Sequence, residues 1–394
     1  MCEQYVAVTF DRQALAAHYS RFRVGERLLL SGHSHQAWPD VGREGQLEAF
    51  DDAALEVDEK WGRAFAKAER VREGFRLWLS EPGAEIALGQ NTHELVLRFL
   101  SALDLRRRPR LVSTDGEFHT LRRQLGRFRE EGLDVVCVPA RPAATLAERL
   151  AAEVDGRTAA VLVSAVLFED SAVVPGLPEL LRAYRERGAE LLVDAYHALG
   201  PVRLTIDGLE DAWVVGGGYK YLQLGEGNCF LRLPPQAEEM RPVLTGWFAE
   251  FAELAADTRH PEVGYGRGAE RFAGSTYDPT AHYRAARVMD FFAEQGLTPE
   301  TLPESYREQV VRLAQRFDAL GLPDDVITRD RENSDVGGFL ALRAANAETL
   351  QRELAARGVL TDSRGTYLRL GPAPYLTDAQ LDAAVDHLGR AAAS

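Results

Sequence analysis

The chain is predicted to fold as an α/β protein around a mostly parallel sheet flanked by helices, with a smaller α/β unit at its C-terminal end. Three observations predict it. Apolar runs of strand length, such as "TAAVLVSAVLF" and "AELLVD", are continuous rather than alternating, as strands covered on both faces require. These runs alternate with stretches whose apolar residues recur at three and four. After about residue 285 the plan changes to two successive helices followed by shorter strands and helices.

Taken in order, residues 44–79 read as one helix with few breakers. "EPGAEIALGQNTHELVLRFLSAL" reads as turn, short strand, turn and helix. "PRLVSTDGEFHTLRRQLGRFREEG" repeats that plan, and "LDVVCVPA" is a further strand. "LPELLRAYRERG" is a helix ending at Gly188, "AELLVDAYHALG" a strand running into a loop, and "DAWVVGGGYKYL" a strand running into glycines. In the C-terminal part, "YRAARVMDFFAEQG" and "ESYREQVVRLAQRFDALG" are helices. "GGFLALR" and "TYLRLGP" are strands, with helices "AETLQRELAARG" and "TDAQLDAAVDHLGRAAA". The expected division is an N-terminal arm over 1–43 packing with the small unit, a large unit over 44–279, and a small unit over 280–394. The boundary is set near Pro279.

Composition narrows the function classes. With 394 residues the chain is long enough to bury a large core without disulfides. A net charge of -14 disfavours unspecific nucleic-acid binding, and the short basic run "LRRRPR" reads as a solvated loop. Cys2, Cys137 and Cys229 are far apart and form neither a CxxC pair nor a zinc spacing. The N-terminus lacks the basic-then-apolar pattern of a signal peptide, and no apolar run reaches membrane-spanning length. A cytoplasmic location, with neither membrane nor nucleic acid as partner, is the expectation.

In open parallel sheets, ligands sit beyond the carboxyl ends of the strands. Three features fall there. Lys220 follows "AWVVGGG" in a glycine-rich, tyrosine-flanked stretch, Asp194 closes "ELLVD", and Asn91, Thr92 and His93 open a helix after "EIALG". A lysine among apolar groups loses its charge more easily and becomes a nucleophile toward aldehydes. A strand-end aspartate can hold a protonated pyridine nitrogen. A helix start offers free N–H groups to a phosphate. Each feature alone is as readily a turn or a cap. Together, in this order at sheet ends, they describe a pyridoxal 5'-phosphate (PLP) site.

The segment "LLVDAYHALGPVRLTIDGLEDAWVVGGGYKYLQLGEGNCFLRL" resembles the cofactor-lysine segment of the class V aminotransferase group of fold-type-I PLP enzymes, and is most similar to kynureninase. The matching residues are Asp194, His197, Ala198 and Gly200, then Tyr219, Lys220, Tyr221 and Leu222. The resemblance extends more weakly from about residue 26 to the C-terminus. It includes "EIALGQNTHELV", "GEFHT", "GWFAE" with Gly246 and Trp247, and "YLRLGPAPYLT" with Arg369, Pro372, Pro374 and Tyr375. It implies a large domain with a seven-stranded sheet and a homodimer with active sites at the interface. It also implies PLP held by Lys220, with Asp194 on the ring nitrogen, His197 beside the ring and Phe118 stacked on it. Tyr219 would contact the phosphate and relay protons. Trp247, Ser275 and Thr276 would reach the neighbouring subunit's cofactor. Arg369 would clamp the carboxylate of an amino-acid substrate bidentately.

The same resemblance implies hydrolytic Cβ–Cγ cleavage of kynurenine or a related γ-keto amino acid. The alternatives are a class V aminotransferase, a β-eliminating lyase, or a PLP-binding protein without turnover. A desulfurase would need a mobile cysteine, and Cys229 follows Gly227 on an expected strand. The departures concern the substrate pocket. Ser275 or Thr276 stands where the family uses asparagine, Glu250 or Ala249 where it has histidine, Gly218 where a hydroxyl precedes Tyr-Lys, and Leu121 or Arg122 where an acidic residue follows the stacking aromatic. His33 and His35, in "SGHSHQAWPD", are expected to pack at the substrate side rather than to bind metal, since no third ligand accompanies them.

Overall fold

The computed structural model describes residues 10–184, 187–253, 262–330 and 336–393. A short helix, Arg12–Ala16 (α1), and a two-residue strand, Leu28–Leu29 (β1), lead to helices Val41–Glu56 (α2) and Trp61–Trp78 (α3). Strands and helices then alternate: Glu85–Gly89 (β2), Thr92–Ala102 (α4), Arg110–Thr114 (β3), His119–Glu130 (α5), Asp134–Val138 (β4), Leu146–Glu153 (α6), Thr158–Ser164 (β5), Leu177–Tyr184 (α7) and Glu190–Asp194 (β6). Strands Trp213–Gly217 (β7) and Cys229–Leu233 (β8) follow. The chain ends with Thr280–Glu294 (α8), Thr301–Asp318 (α9), Leu340–Arg343 (β9), Ala347–Ala356 (α10), Val359–Leu360 (β10), Asp362–Arg364 (β11), Tyr367–Leu370 (β12) and Asp378–Ala392 (α11). The end of the expected helix before Gly188 lies partly outside the described residues.

Seven strands form the main sheet in the order β2-β8-β7-β6-β5-β3-β4. Strand β8 runs antiparallel to both neighbours, and the remaining pairs are parallel. Every residue of β5 is buried, which is why its sequence shows no alternation. The reversal of β8 has a consequence for function. It places the N-terminal residue of that strand, Cys229, opposite Gly217 and Gly89, at the same edge where the parallel strands end.

The single helix expected over 44–79 is two helices. Val57, exposed and at φ 47°, ends α2, and the charged residues 58–60 link it to α3. The two bury different stripes. Ala64, Ala68, Val71, Phe75 and Trp78 of α3 form a regular apolar face. Gly42, Gly45 and Ala49 of α2 are small because α8 lies close: a Cβ on Gly45 would stand 2.6 Å from the Tyr283 carbonyl oxygen. Helix α8, expected to open the small unit, therefore packs along α2 and α3.

The C-terminal elements build a three-stranded antiparallel sheet, β11-β12-β9, packed against α9 and α10, with α11 lying on those two helices. Strand β1 pairs in parallel with β10. Gln380 Nε2 donates to the carbonyls of Val24 and Arg27 at 2.8 and 2.9 Å, so residues of the N-terminal arm lie against the C-terminal elements. A buried relay joins the arm to the lysine loop: Tyr19 Oη donates to Gln223 Oε1 (2.5 Å), Gln223 Nε2 to Gln36 Oε1 (2.9 Å), and Gln36 Nε2 to Tyr306 Oη (2.5 Å). Satisfied buried networks of this kind fix one arrangement, because any slip leaves a polar group without a partner. No helix among the described residues is long and apolar enough to cross a membrane.

Candidate active site

A cavity of about 300 Å³ opens at the carboxyl edge of the sheet, lined among others by Asn91, Thr92, His93, Phe118, Asp194, His197, Tyr219 and Lys220. Each comes from a strand end. Asp194 is the last residue of β6, paired in register with Ser164 of β5 and Val215 of β7. Lys220 lies three residues beyond β7. Asn91 caps α4, its side chain accepting from the Glu94 N–H at 3.0 Å. Phe118 precedes α5.

Lys220 is buried, and its Nζ lies 2.7 Å from His197 Nε2. With Nε2 accepting, the other ring nitrogen carries the proton and faces Tyr221 Oη at 3.3 Å. The rings of Tyr196, Phe118 and Tyr219 surround Nζ at 4.9, 5.6 and 5.9 Å. No ion pair to Lys220 is present among the described residues. Burial holds its ammonium well below the ordinary lysine value, against the opposing pull of Asp194. Burial raises Asp194, while the Tyr196 N–H, donating to Oδ1 at 2.8 Å, and Lys220 pull it down. Burial also keeps His197 neutral, with Lys220 adding to the effect. Tyr219 is pushed up to about 12 by burial, so it holds its proton at neutral pH.

The glycines before Lys220 make room for neighbouring side chains. A Cβ on Gly217 would stand 2.3 Å from Tyr196 Oη, one on Gly216 2.8 Å from Phe230, and one on Gly218 2.2 Å from Leu224.

Other expected residues lie elsewhere. Ser275 and Thr276 line a second cavity of about 550 Å³, and Trp247 Nε1 donates to Thr276 Oγ1 at 3.2 Å. None of these three lines this chain's Lys220 cavity; Gln90 borders both cavities. Arg369 is buried on β12 and already engaged: Nε and Nη2 donate to Asp362 at 2.6 and 2.5 Å, and Nη1 donates to the Phe168 carbonyl. His33 and His35 diverge. His33 is buried, its Nε2 3.1 Å from Asp362 Oδ1, and burial lowers it to about 4. His35 stacks on Tyr219 with ring centroids 5.1 Å apart. Among the described residues no cluster of metal-ligating side chains occurs.

Sequence reasoning missed three contributors. Glu117 is buried, accepts from Thr114 Oγ1 (2.7 Å) and Ser164 Oγ (2.5 Å), and is pushed up to about 7 by burial. Gln223 ties the lysine loop to the arm, and Asp362 holds Arg369. Cys229, which the sequence placed on a strand, is buried at the start of β8, lines the cavity and faces Tyr196 Oη at 3.4 Å. One available signal was composition: Lys60, Lys67 and Lys220 are the chain's only lysines, so a lysine inside an apolar stretch stands out against an arginine-rich surface.

Buried neutral histidines make stability depend on pH. His33 and His282 drop from 6.5 to about 4 through burial, and neither ring nitrogen of His282 has a partner. Between those values the unfolded chain binds more protons than the folded one. Stability therefore rises with pH across this window and is lost as pH falls from about 6.5 to about 4. Each histidine contributes on the order of 3 kcal/mol. Glu117 acts in the opposite sense over part of the window, so the histidine share is read by difference. The Tm of His282→Phe is expected to fall less with acidification than that of wild type. Equal slopes would contradict the assignment.

The chain has the class V aminotransferase-like fold of the fold-type-I PLP-dependent enzymes. A family model described as the kynureninase C-terminal domain matches residues 309–388. Isopenicillin N epimerase of Streptomyces clavuligerus is 26% identical over 336 residues, covering 81% of this chain and 83% of that protein. Kynureninase of Burkholderia mallei (strain SAVP1) is 25% identical over 232 residues, covering 57% of this chain and 53% of that protein. A solved structure of C-DES with glycine covalently linked to its PLP cofactor superposes with a TM-score of 0.84 at 14% identity, covering 95% of this chain and 98% of the other.

Proposed function

We propose that the chain is a PLP-dependent enzyme acting on an amino acid, and that its reaction is the kynureninase-like hydrolytic cleavage of a Cβ–Cγ bond in kynurenine or a related γ-keto amino acid. The observation that carries the reading is the buried Lys220, bonded to His197 and without an ion pair among the described residues, in a cavity that ends on Asp194 and on the first turn of α4. That donor set fits PLP: an amine for the aldehyde, a carboxylate for the ring nitrogen, and a helix N-terminus for the phosphate. Phe118 lines the same cavity and would cover the ring.

When bound, PLP supplies an electron sink beside the substrate's α-carbon. The remaining work falls to this chain's side chains. Lys220, kept readily deprotonated by burial, takes the α-proton at Nζ. Neutral His197 accepts a hydrogen bond at Nε2 and keeps Nζ oriented. Asp194 holds the ring nitrogen's proton. Arg369 takes the substrate carboxylate. The kynureninase family match over residues 309–388 supports the hydrolytic branch. The departures from the kynureninase pattern at Ser275, Thr276 and Glu250 favour a second reading: transamination or elimination on a different amino acid. A desulfurase route is disfavoured because Cys229 is buried within a strand.

The test is anthranilate release from L-kynurenine by the purified, PLP-loaded protein, with 3-hydroxykynurenine alongside. Release is expected. An intact visible band without release would discard kynurenine and 3-hydroxykynurenine as substrates and leave a related γ-keto amino acid or the second reading.

We also propose a homodimer. Leu47, Phe50 and Leu55 of α2 are exposed, as are Trp247 and Phe251, and such apolar surface is characteristic of an interface. In a dimer, Trp247, Ser275 and Thr276 are free to serve the neighbouring site. Phe50→Asp is expected to shift sedimentation from dimer to monomer and to reduce activity. A wild-type monomer at working concentration would refute the arrangement.

A further inference from the structure

Arg369 has a resident carboxylate, and the geometry of that pair says what it is for. Asp362 and Arg369 face each other in the register of β11 and β12. Asp362 accepts from Nε at 2.6 Å and from Nη2 at 2.5 Å, which is a bidentate pair on one side of the guanidinium. A third N–H, on Nη1, goes to the Phe168 carbonyl. A guanidinium has five N–H donors, so one remains on each terminal nitrogen. The guanidinium also lies over the Phe339 ring, 5.5 Å from its centroid, and no further hydrogen-bond partner for Arg369 occurs among the described residues. Asp362 is itself held: His33 Nε2 lies 3.1 Å from Oδ1, and Arg364 Nη2 stands 3.7 Å from Oδ2. Phe168 also lines the Lys220 cavity, so Arg369, which does not line it, is one hydrogen bond away from a lining residue.

We propose that Asp362 is the positioning residue for Arg369: held by His33, it occupies the Nε–Nη2 side of the guanidinium and leaves the free N–H of both terminal nitrogens for the carboxylate of the amino-acid substrate. The inference rests on the PLP-dependent reading above. It explains how a buried arginine can already carry a bidentate carboxylate and still recognise another. The planar fork is rigid, so fixing one side fixes the direction of the other. It also accounts for a buried histidine with no place in the proton chemistry. His33 donates to Asp362 through Nε2, and its Nδ1 has no partner.

The experiment titrates the visible band of the PLP-loaded protein with L-alanine and with ethylamine, which differ by the carboxylate. Wild type is expected to respond to L-alanine at lower concentration. In Asp362→Asn the half-maximal L-alanine concentration is expected to rise about 10- to 100-fold, the usual cost of losing the group that orients a binding residue. The ethylamine value is expected to stay within about twofold, as is appropriate for a group that acts only through Arg369. On an Arg369→Ala background, Asp362→Asn should have no further effect on L-alanine. Asp362→Glu, which keeps the charge, should show a smaller rise and serves as the test if the asparagine variant does not fold. A normal band with an unchanged or tighter L-alanine response in Asp362→Asn overturns this inference alone, because Asp362 would then be a bystander or a competitor. A wild-type protein that forms no visible band with PLP overturns the proposed function, and this inference with it.

Discussion

Replacing Lys220 by alanine is expected to abolish the visible absorption band that PLP develops with the protein and to leave no measurable turnover. The chain offers no substitute. Its other lysines are Lys60, beside the Trp61 ring, and Lys67, paired with Glu48 at 2.6 Å; neither lines the Lys220 cavity. His197 is neutral and is positioned to accept from an amine, not to replace one. The general-base share of the loss alone is worth about 10²–10⁴-fold. The fold should survive and gain slightly in Tm, because the wild-type protein buries an amine whose charged form is penalised and alanine removes that penalty. Absorbance spectra and Tm measured on the same sample separate the cases. A folded Lys220→Ala protein that still shows the band would end the assignment of Lys220. A protein that loses both band and fold would mean that the lysine is part of the core.

How much of this site could be read from the sequence depended on range. Lys220, Asp194 and the start of α4 were legible because each marks the end of an apolar run, and in a parallel sheet all such ends meet at one edge. The direction of β8 was not legible. "CFLRL" is as apolar as a parallel strand, and only its pairing with β2 and β7 shows that Cys229 rather than Leu233 lies at the functional edge. The glycines were legible as a tight place but not as to what fills it, because Tyr196, Phe230 and Leu224 arrive from separate parts of the fold. Glu117 looked like an ordinary turn residue. It is buried because β3 and β5 are neighbours, which brings Ser164 over its carboxyl. Asp362 meets His33 across 329 residues of chain, and no local pattern encodes that contact. Helix α2 was merged with α3 because helical periodicity runs through both, and the break at Val57 carries no proline or glycine.

Asp194→Asn is expected to cost two to four powers of ten in rate while leaving the fold and the bound cofactor in place. The asparagine is the same size, and its Oδ1 can keep the bond from the Tyr196 N–H that orients the side chain at 2.8 Å. What it lacks is charge. The aspartate is half-buried at the end of β6, and a pyridinium nitrogen beside it would be a largely desolvated cation with one partner. Removing one member of a buried ion pair costs roughly 3–5 kcal/mol, and at about 1.4 kcal/mol per tenfold this gives the stated loss. The ring nitrogen would give up its proton and with it most of its capacity to draw electrons from the α-carbon. The fitting measurement is the exchange of the α-proton of L-alanine for deuterium, followed by NMR. It reports proton removal whichever branch follows, so it does not require the natural substrate. Asp194→Glu keeps the charge on a longer arm and should lose less. If Asp194→Asn exchanges at the wild-type rate, the carboxylate does not serve the ring nitrogen, and an aspartate at this strand end would need another cause. A loss confined to Asp194→Asn, with the visible band retained, would separate the electronic role proposed for Asp194 from the covalent role proposed for Lys220, two residues that line the same cavity.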